Sequence, residues 1–368
     1  MRLTFAIVLV VHGLIHLLGF AKAFGFAELP QLTRPIPPVM GLIWLAASLL
    51  FLLTAGALFV WPRWWWAIGL AAIAASMVAI VPSWTDARFG ALGNLIALVG
   101  VVFGFLANGP LSQRAAYERE VVQLLAPSAD ARVLTEADLA PLPAPVQRYL
   151  RATGAIGQPQ VRNFRARMQG RIRQGPESRW MPFTAEQHNV YGEPARLFFM
   201  DASMLFVPVQ VLHRYVGTSA TMRAKAAALV PVVEMSGPDM TQAETVTLFN
   251  DMCIVAPATL IDPAIAWEAV DAHNVHATFT NAGYTIRAEL SFNDAGELTN
   301  FWSDDRRRVS ADGKVMTATR WSTPVGNYRA FGPVRLASRG QGRWHEPGGE
   351  YAYIELEIDD VQYNVQSR

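Results

Sequence analysis

Long apolar stretches almost free of charge fill the first 110 residues of the chain. Of the 61 charged residues in the sequence, only seven lie there: Arg2, Lys22, Glu28, Arg34, Arg63, Asp86 and Arg88. This distribution indicates that lipid surrounds the first part and water the remainder. We therefore predict a membrane domain at residues 1–110, a helical Pro-rich linker at 111–160, and a soluble domain at 161–368.

Four apolar runs predict four membrane-spanning helices, because each approaches the ~20 residues that cross a hydrocarbon layer of ~30 Å. The runs are residues 3–20, 39–60, 64–81 and 91–106. The first is too long for the apolar region of a signal peptide, and no small-residue cleavage site follows it. The short loops predict an antiparallel four-helix bundle, and Gly93, Gly100 and Gly104 should let its helices approach closely.

The orientation of this bundle is left open by its basic residues. Four of them fall on one side of the predicted bundle (Arg2, Arg63, Arg114, Arg119) and three on the other (Lys22, Arg34, Arg88). Four against three is too small a difference for the positive-inside rule to decide.

Two histidines lie four residues apart in the first run, within His12-Gly13-Leu14-Ile15-His16. This spacing places both imidazoles on one face of a helix. One hypothesis is that they bind a metal or haem, or relay protons. The alternative is packing within the bundle, with hydrogen bonds to Asn94, Ser48, Thr54 or a backbone carbonyl. Two histidines are too few to complete a typical metal site.

The hydrophobic period changes to two from residue 162 onward. Apolar residues from Phe164 to Ile172 alternate with polar ones, and the pattern recurs at residues 286–292 and 354–358. Turn signals separate these runs, as at Asn281-Ala282-Gly283 and Asp312-Gly313. These features predict an antiparallel meander. A helix is expected at residues 241–254, after the Ser236-Gly237-Pro238-Asp239 start signal.

The predicted fold is thus an α-helical membrane bundle joined to an α+β soluble domain, a curved antiparallel sheet with covering helices. Two further helices are expected near residues 111–125 and 143–153, before Gly154. A sheet with one apolar face must be covered, either by helices or by a bound apolar ligand.

Two groups of residues are candidates for ligand contact. The first is aromatic and methionine-rich, as suits greasy ligands: Trp180, Phe183, Phe198, Met200 and Met204, with Phe206 nearby. The second is a basic stripe that suits anionic lipid head groups: Arg165, Arg167, Arg171 and Arg173. Core packing and a solvated strand face are the respective alternatives. The run Arg306-Arg307-Arg308 follows two aspartates and is interpreted as a surface feature.

Several chemistries find no support in the sequence. A single cysteine, Cys253, excludes an intrachain disulfide, and the net charge of +1 argues against nucleic acid as a partner. No H-E-x-x-H, G-x-S-x-G, P-loop or G-x-G-x-x-G motif is present. His273 and His276 are expected at solvated positions of a strand, on opposite faces. We therefore expect neither a cofactor nor catalysis.

Three blocks resemble a family of uncharacterised bacterial membrane-attached proteins. They are Pro145-Val146-Gln147-Arg148-Tyr149-Leu150, Trp180-Met181-Pro182-Phe183-Thr184-Ala185-Glu186-Gln187 and Ser236-Gly237-Pro238-Asp239-Met240. The resemblance implies a curved sheet of the lipoprotein-carrier (LolA/LppX-like) kind. We expect the chain in the inner membrane, with the side of its soluble domain left open. The helical part is similar in hydropathy pattern to small DoxX-like membrane proteins. No catalytic residue is implied by either resemblance.

The leading hypothesis is a non-catalytic multi-pass membrane protein whose β-domain binds a lipid or other hydrophobic molecule at the membrane surface. Membrane lipids are then its expected partners. The alternatives are a redox, metal or haem protein that uses His12 and His16, and a structural or interaction protein.

Overall fold

The structure, a computed structural model, describes residues 2–125, 132–204, 207–310 and 315–366. The chain divides into two compact units, Met1–Ala116 and Tyr117–Arg368. The predicted turn at Asp312-Gly313 and the candidate Phe206 lie outside the described residues. The two predicted segment boundaries, near residues 110 and 160, stay predictions.

The first unit is helical. Its helices are α1 (Arg2–Ala23), α2 (Pro38–Val60), α3 (Trp65–Ile80), the short α4 (Trp84–Ala87) and α5 (Gly90–Asn108), and α6 (Gln113–Leu124) begins at its end. α2 begins at a proline, where the missing N–H costs nothing because the first helical turn has no partner for it. Leu9, Phe51, Ala72 and Val101 form part of its buried core.

Three helical segments are long and apolar enough to cross a membrane: Arg2–Ala23, Pro38–Val60 and Gly90–Leu124. The third includes α5 and, beyond a break at residues 109–112, α6. α3 is apolar but has only 16 residues, which at ~1.5 Å per residue falls short of the ~30 Å hydrocarbon layer. The chain is therefore membrane-associated through three apolar helices, and a fourth span is not confirmed.

Glycines of α5 lie where bulky side chains of other helices meet its backbone. A Cβ at Gly93 would lie 2.3 Å from Nδ1 of His12, and one at Gly100 would lie 2.1 Å from the ring of Phe5. A Cβ at Gly104 would lie 2.2 Å from the indole of Trp65. The predicted role of these glycines in close helix packing is confirmed.

The second unit contains a large antiparallel sheet. Its helices are the remainder of α6, α7 (Glu136–Leu139), α8 (Ala144–Ala152) and α9 (Pro238–Ile254), with a 3-10 turn at Pro257–Ile261. Its strands are β1 (Asn163–Ile172), β2 (Met181–Val190), β3 (Ala195–Met204), β4 (Val207–Val216), β5 (Ser219–Ala226), β6 (Val230–Ser236), β7 (Ile265–Ala269), β8 (Asn274–Asn281), β9 (Tyr284–Phe292), β10 (Leu298–Ser303), β11 (Arg307–Val309), β12 (Met316–Ala318), β13 (Arg320–Ser322), β14 (Val325–Phe331), β15 (Val334–Glu346) and β16 (Gly349–Tyr363).

Within the described residues the sheet has 14 strands in the order β6-β5-β4-β3-β2-β1-β16-β15-β13-β10-β9-β8-β7, with β14 beside β15. Most neighbours follow one another along the chain, as a meander requires. The pairings of β15 with β13 and of β13 with β10 skip strands. The pairing of β1 with β16 joins the first and last strands at the middle of the sheet. β11 and β12 form a separate two-stranded ribbon.

Helix α9 crosses one face of this sheet. It connects β6 to β7, which are the two opposite edges, so the connection must traverse the sheet. Val246 and Phe249 of α9 are fully buried, and Phe249 stacks on Phe279 of β8 at 5.2 Å between ring centroids. We call the face that α9 covers the inner face. Cys253, also on α9, is fully buried.

Helix α8 also packs into this core, through Val146, Tyr149 and Leu150. Its end follows a helix-termination pattern: Gly154 has φ +69°, and the N–H groups of Gly154 and Ala155 donate to the carbonyls of Arg151 and Leu150. A glycine adopts this left-handed conformation without steric penalty, which is why the helix ends where the sequence predicted.

Alternation along β1 is as predicted. Phe164, Ala166 and Met168 are buried, whereas Arg167 and Arg171 between and beyond them are exposed. The predicted turn at Ala282-Gly283 is a two-residue hairpin loop with φ +53° and +83°, which fits the twist of the flanking strands.

Candidate functional site

A cavity of about 320 Å³ lies between the inner face and α9. Much of its wall is apolar, with side chains from several strands: Met168, Phe198, Met200, Met222, Ile354 and Leu356. Two tryptophans and a tyrosine add flat aromatic surface: Trp321, Trp344 and Tyr353. The volume lies at the small end of the ~300–1,000 Å³ typical of ligand pockets.

One side of the cavity is polar because α9 carries two carboxylates there. Glu244 and Asp251 are seven residues apart, which places them on one face of the helix two turns apart. Arg196 of β3 donates through Nε to Asp251 at 2.7 Å and through Nη1 to Glu244 at 2.9 Å. His213 of β4 donates through Nδ1 to the other oxygen of Glu244 at 3.0 Å.

Two amides of β2 complete this network. The side-chain N–H groups of Gln187 and Asn189 donate to Asp251 at 2.6 and 3.1 Å. The network therefore holds α9 against β2, β3 and β4 through ionic hydrogen bonds, which are stronger than neutral ones.

The charges of this network are set by burial and by neighbours. Burial alone would raise the pKa of Glu244, but the charges of His213 and Arg196 hold the pKa of this carboxyl well below its usual range. Burial works against the charged form of Arg196 as well, and Asp251 and Glu244 more than compensate, so that the pKa of its guanidinium is raised. Both groups are thus ionised in the folded protein.

Arg306 also lies in the cavity wall, but it lacks the short ion pairs that Arg196 makes. It is only 9% exposed, and its Nε has no hydrogen-bond partner among the described residues. Its nearest carboxylate is Glu244, with 3.9 Å between Nη2 and Oε1. Its guanidinium carbon lies 5.5 Å from the ring centroid of Trp321 and 6.0 Å from that of Trp344.

The interpretation of Arg306-Arg307-Arg308 as a surface feature is wrong for Arg306, which is buried in the cavity wall. The reason is that the two preceding aspartates do not neutralise the run. Asp304 binds Arg320, and Asp305 accepts from the backbone N–H of Arg287. No sequence pattern marks this position, because the strands that enclose it are far away along the chain.

The predicted aromatic and methionine residues are distributed over several places. Phe198 and Met200 line the cavity. Phe183 is buried in the core and does not line this cavity among the described residues. Met204, at the end of β3, is 45% exposed. Trp180 contacts the guanidinium groups of Arg171 and Arg173, at 4.6 and 4.5 Å from its ring centroid.

Most of the basic stripe lies on the outer face of β1, since Arg165, Arg167 and Arg171 alternate with Met168 and Ile172 of the cavity wall. Arg173 follows β1 and lines the cavity. It donates to the backbone carbonyls of Ala352 and Pro176. Three arginines of the stripe have a carboxylate partner on a neighbouring strand: Arg165 with Glu186, Arg167 with Asp360, and Arg171 with Glu355. Opposite charges across strands explain this pairing. Contact of the stripe with lipid head groups stays a prediction.

In the helical unit, His12 and His16 have polar partners. His12 Nε2 donates to the side-chain oxygen of Asn94 at 3.0 Å. His16 Nδ1 donates to the backbone carbonyl of His12 at 2.9 Å, and its Nε2 lies 2.8 Å from the hydroxyl of Ser76. Both ring nitrogens of His16 are therefore engaged, and a metal could bind it only by displacing one of these partners.

A groove of about 740 Å³ runs beside these histidines. Its walls include Ile7, Val11 and Ile15 of α1 and Leu92 and Ile96 of α5, all of them exposed apolar side chains. Surfaces of this kind suit contact with lipid chains in a membrane. Among the residues that the structure describes, no group of three His, Cys, Asp or Glu side chains is arranged to hold a metal ion.

The exposed histidines of the second unit face water. His276 lies on β8, as predicted, whereas His273 lies in the loop before it and binds Asp294 at 2.8 Å. The loop position arises because Asp271 accepts from the backbone N–H groups of His273 and Asn274, which turns the chain.

Comparison with known proteins gives a family and a set of weakly similar structures. A model for a family of unknown function, DUF6544, matches residues 132–356. No curated protein matches the chain. The DoxX-like resemblance of the helical part stays a prediction.

Three solved structures are similar to parts of the chain. A domain described as an outer membrane lipoprotein-sorting protein from Vibrio parahaemolyticus has 13% identity and TM-score 0.32, covering 55% of this chain and 85% of its own. A DUF1329 family protein from Desulfovibrio piger has 12% identity and TM-score 0.36, covering 60% and 92%. A LolA superfamily protein from Nitrosomonas europaea has 12% identity and TM-score 0.34, covering 59% and 93%. With TM-scores this low, any ligand of this chain must be inferred from its own cavity.

Proposed function

We propose that this chain, which belongs to the DUF6544 family of unknown function, binds a lipid or another apolar molecule in the cavity beneath α9. The observation that carries the proposal is a largely apolar cavity of about 320 Å³ between α9 and the inner face of the sheet. Ligand sites are typically mostly apolar with a few placed polar groups, and this wall has that composition.

The membrane association of the chain supports the choice of ligand class. The apolar helices bring the β-domain, by covalent attachment, to a place where lipids are abundant. Met168, Met200 and Met222 in the cavity wall have flexible side chains that adapt to irregular apolar ligands. The role is binding, with no bond made or broken.

Photochemical labelling tests this proposal on the full chain in a neutral maltoside detergent. The probe is a long-chain alcohol with a diazirine in its alkyl chain, and labelled peptides are identified by mass spectrometry. Label is expected on cavity segments such as β3 and β16. Met200→Trp should reduce that label because the larger side chain fills the cavity.

Met204→Trp is the matched control, since Met204 lies on the same strand but is exposed. It should label like the unchanged protein. Label confined to residues 2–108, or label on β3 and β16 that Met200→Trp does not reduce, would contradict the proposal.

We further propose that the chain is a multi-pass inner-membrane protein in which α1, α2, α3 and α5 all cross the bilayer. A 16-residue helix such as α3 can span if the bilayer thins locally or flanking residues reach the interface. The side of the membrane on which a single cysteine lies, introduced in place of exposed Glu28 or exposed Leu111, distinguishes four spans from three. Four spans place these positions on opposite sides of the membrane, whereas three spans through α1, α2 and α5 place them on the same side.

A further inference from the structure

We infer that the molecule bound in this cavity is an anionic amphiphile, whose carboxylate or phosphate group lies against Arg306 while its alkyl chain lies among the methionines. This inference rests on the proposed binding function and specifies the chemistry of its ligand.

The first step is the state of Arg306. Arginine stays charged in proteins, and a buried charge is costly unless hydrogen-bonded ion pairs surround it. Arg306 is 9% exposed, its Nε has no partner among the described residues, and its nearest carboxylate is 3.9 Å away. An ionic hydrogen bond requires about 2.7–2.9 Å. This guanidinium therefore has unused capacity to bind an anion.

The second step is that the acidic groups of the cavity are already engaged. Arg196 binds both Asp251 and Glu244, at 2.7 and 2.9 Å, and His213 binds the remaining oxygen of Glu244. Arg196 and Arg306 thus share one cavity but differ in what they contact. Arg196 holds α9 in place, whereas Arg306 remains available for a ligand.

The third step is the surroundings of Arg306. Trp321 and Trp344 lie beside its guanidinium and restrict its orientation. The neighbouring Arg307 also has a buried Nε without a hydrogen bond, 3.6 Å from the carboxylate of Asp239. Arg307 thus also lines the cavity, but its guanidinium is paired with Asp239, which leaves Arg306 as the group that can take an anion.

The fourth step combines this basic side with the apolar wall. Met168, Met200 and Leu356 line the same cavity. A ligand that satisfies both parts carries a negative head group and an alkyl chain. A neutral lipid would leave Arg306 without an anion at hydrogen-bond distance, and a cation would be repelled by it.

Two photoreactive probes with the same diazirine-bearing chain test the inference, a fatty acid and the corresponding alcohol. The full chain in neutral maltoside detergent is titrated with each, and half-maximal labelling of cavity peptides is measured. The acid should label at a concentration about tenfold or more below that of the alcohol, the value of a charge-assisted hydrogen bond. Arg306→Gln should abolish this preference while alcohol labelling persists.

Arg320→Gln is the matched control, because it removes the same charge from an exposed arginine bound to Asp304. It should keep the preference for the acid. If Arg306→Gln fails to fold, Arg306→Lys serves instead, and the loss of the planar guanidinium should weaken the preference severalfold. Equal labelling by acid and alcohol in the unchanged protein would overturn the inference and leave the proposed function standing.

Absence of cavity label with both probes would overturn the proposed function itself.

The source of the anionic group is resolved by competition with phosphatidylglycerol and with phosphatidylcholine. Displacement of the acid probe by phosphatidylglycerol alone supports a phospholipid head group, and displacement by neither lipid supports a free fatty acid. Equal displacement by both lipids would contradict recognition of negative charge.

Discussion

Arg196 on β3 and Glu244 on α9 are joined by a hydrogen bond of 2.9 Å, with their side chains only 8% and 1% exposed. The same guanidinium binds Asp251, two turns further along the helix. This buried contact attaches α9 to the sheet and shapes the polar side of the cavity.

Replacement of Arg196 by methionine should therefore destabilise the β-domain strongly. Two carboxylates would lose a counter-charge that binds both of them, and breaking a buried pair costs about 3–5 kcal/mol. For a domain of this size, that corresponds to a fall in Tm of about 6–20 °C, measurable by thermal unfolding in detergent.

Arg171→Met is the control for this experiment. Arg171 forms an exposed pair with Glu355, and surface pairs contribute about 0–1 kcal/mol. Its Tm should stay within a few degrees of that of the unchanged protein. Equal losses for the two variants would show that the buried network does not hold α9.

Arg306→Met should behave unlike Arg196→Met in protein stripped of lipid. Only a long ion pair of 3.9 Å with Glu244 is lost, and replacing a buried charge by an apolar side chain of similar volume is often neutral or stabilising. The Tm of the delipidated variant should equal or exceed that of the unchanged protein. A fall as large as that of Arg196→Met would show that Arg306 has a structural role instead.

The stability of the β-domain should fall as the pH is lowered from about 6.5 to 4, because of His188. Burial lowers the pKa of this histidine to about 4, whereas in the unfolded chain it is ~6.5. Between pH 6.5 and 4, His188 is therefore protonated in the unfolded chain but neutral in the folded protein. Protonation favours the unfolded state, so the free energy of unfolding that the protein has above pH 6.5 decreases as the pH falls toward the folded pKa. The expected loss is on the order of 3 kcal/mol.

The variant His188→Asn separates the contribution of His188 to this pH dependence from the contributions of other titratable groups. The hydroxyl of Tyr117 lies 2.7 Å from Nδ1 of His188, and the asparagine oxygen can replace that acceptor. Its unfolding free energy should vary less between pH 6.5 and 4, as measured by denaturant titration at several pH values. An unchanged pH dependence would exclude His188 as its source.

Gly93→Ala should destabilise the helical unit, because its Cβ would overlap Nδ1 of His12 at 2.3 Å. Overpacking of this kind costs about 1–3 kcal/mol. Gly56→Ala on α2 is the matched control, since nothing lies within 4 Å of its added Cβ. On heating, Gly93→Ala should lose its helical circular dichroism signal at a lower temperature than the unchanged protein, and Gly56→Ala should not. Identical curves for the two variants would contradict close contact at Gly93.

Local features of the fold were predictable because their signals are local. The start of α9 at Ser236-Gly237-Pro238 and the alternation along β1 follow from neighbouring residues alone. The pairing of β1 with β16 was not predictable, since it joins residues such as Phe164 and Tyr363 that are far apart in the sequence. Only the complete sheet determines it.

The site was predictable in part. Phe198 and Met200 were candidates on composition and do line the cavity. Glu244 and Asp251 were missed, although two carboxylates at i and i+7 share one face of a helix and are a signal of polar contacts there. Arg306 could not be found in this way, because its burial depends on Trp321, Trp344 and α9 together.

Native mass spectrometry of the full chain, released from a neutral detergent, tests the central claim most directly. The unchanged protein and Met204→Trp should each retain an additional small amphiphile, and Met200→Trp should lose it. Equal retention by all three proteins would place the bound molecule outside the cavity, and no retention by the unchanged protein would contradict a lipid-binding role.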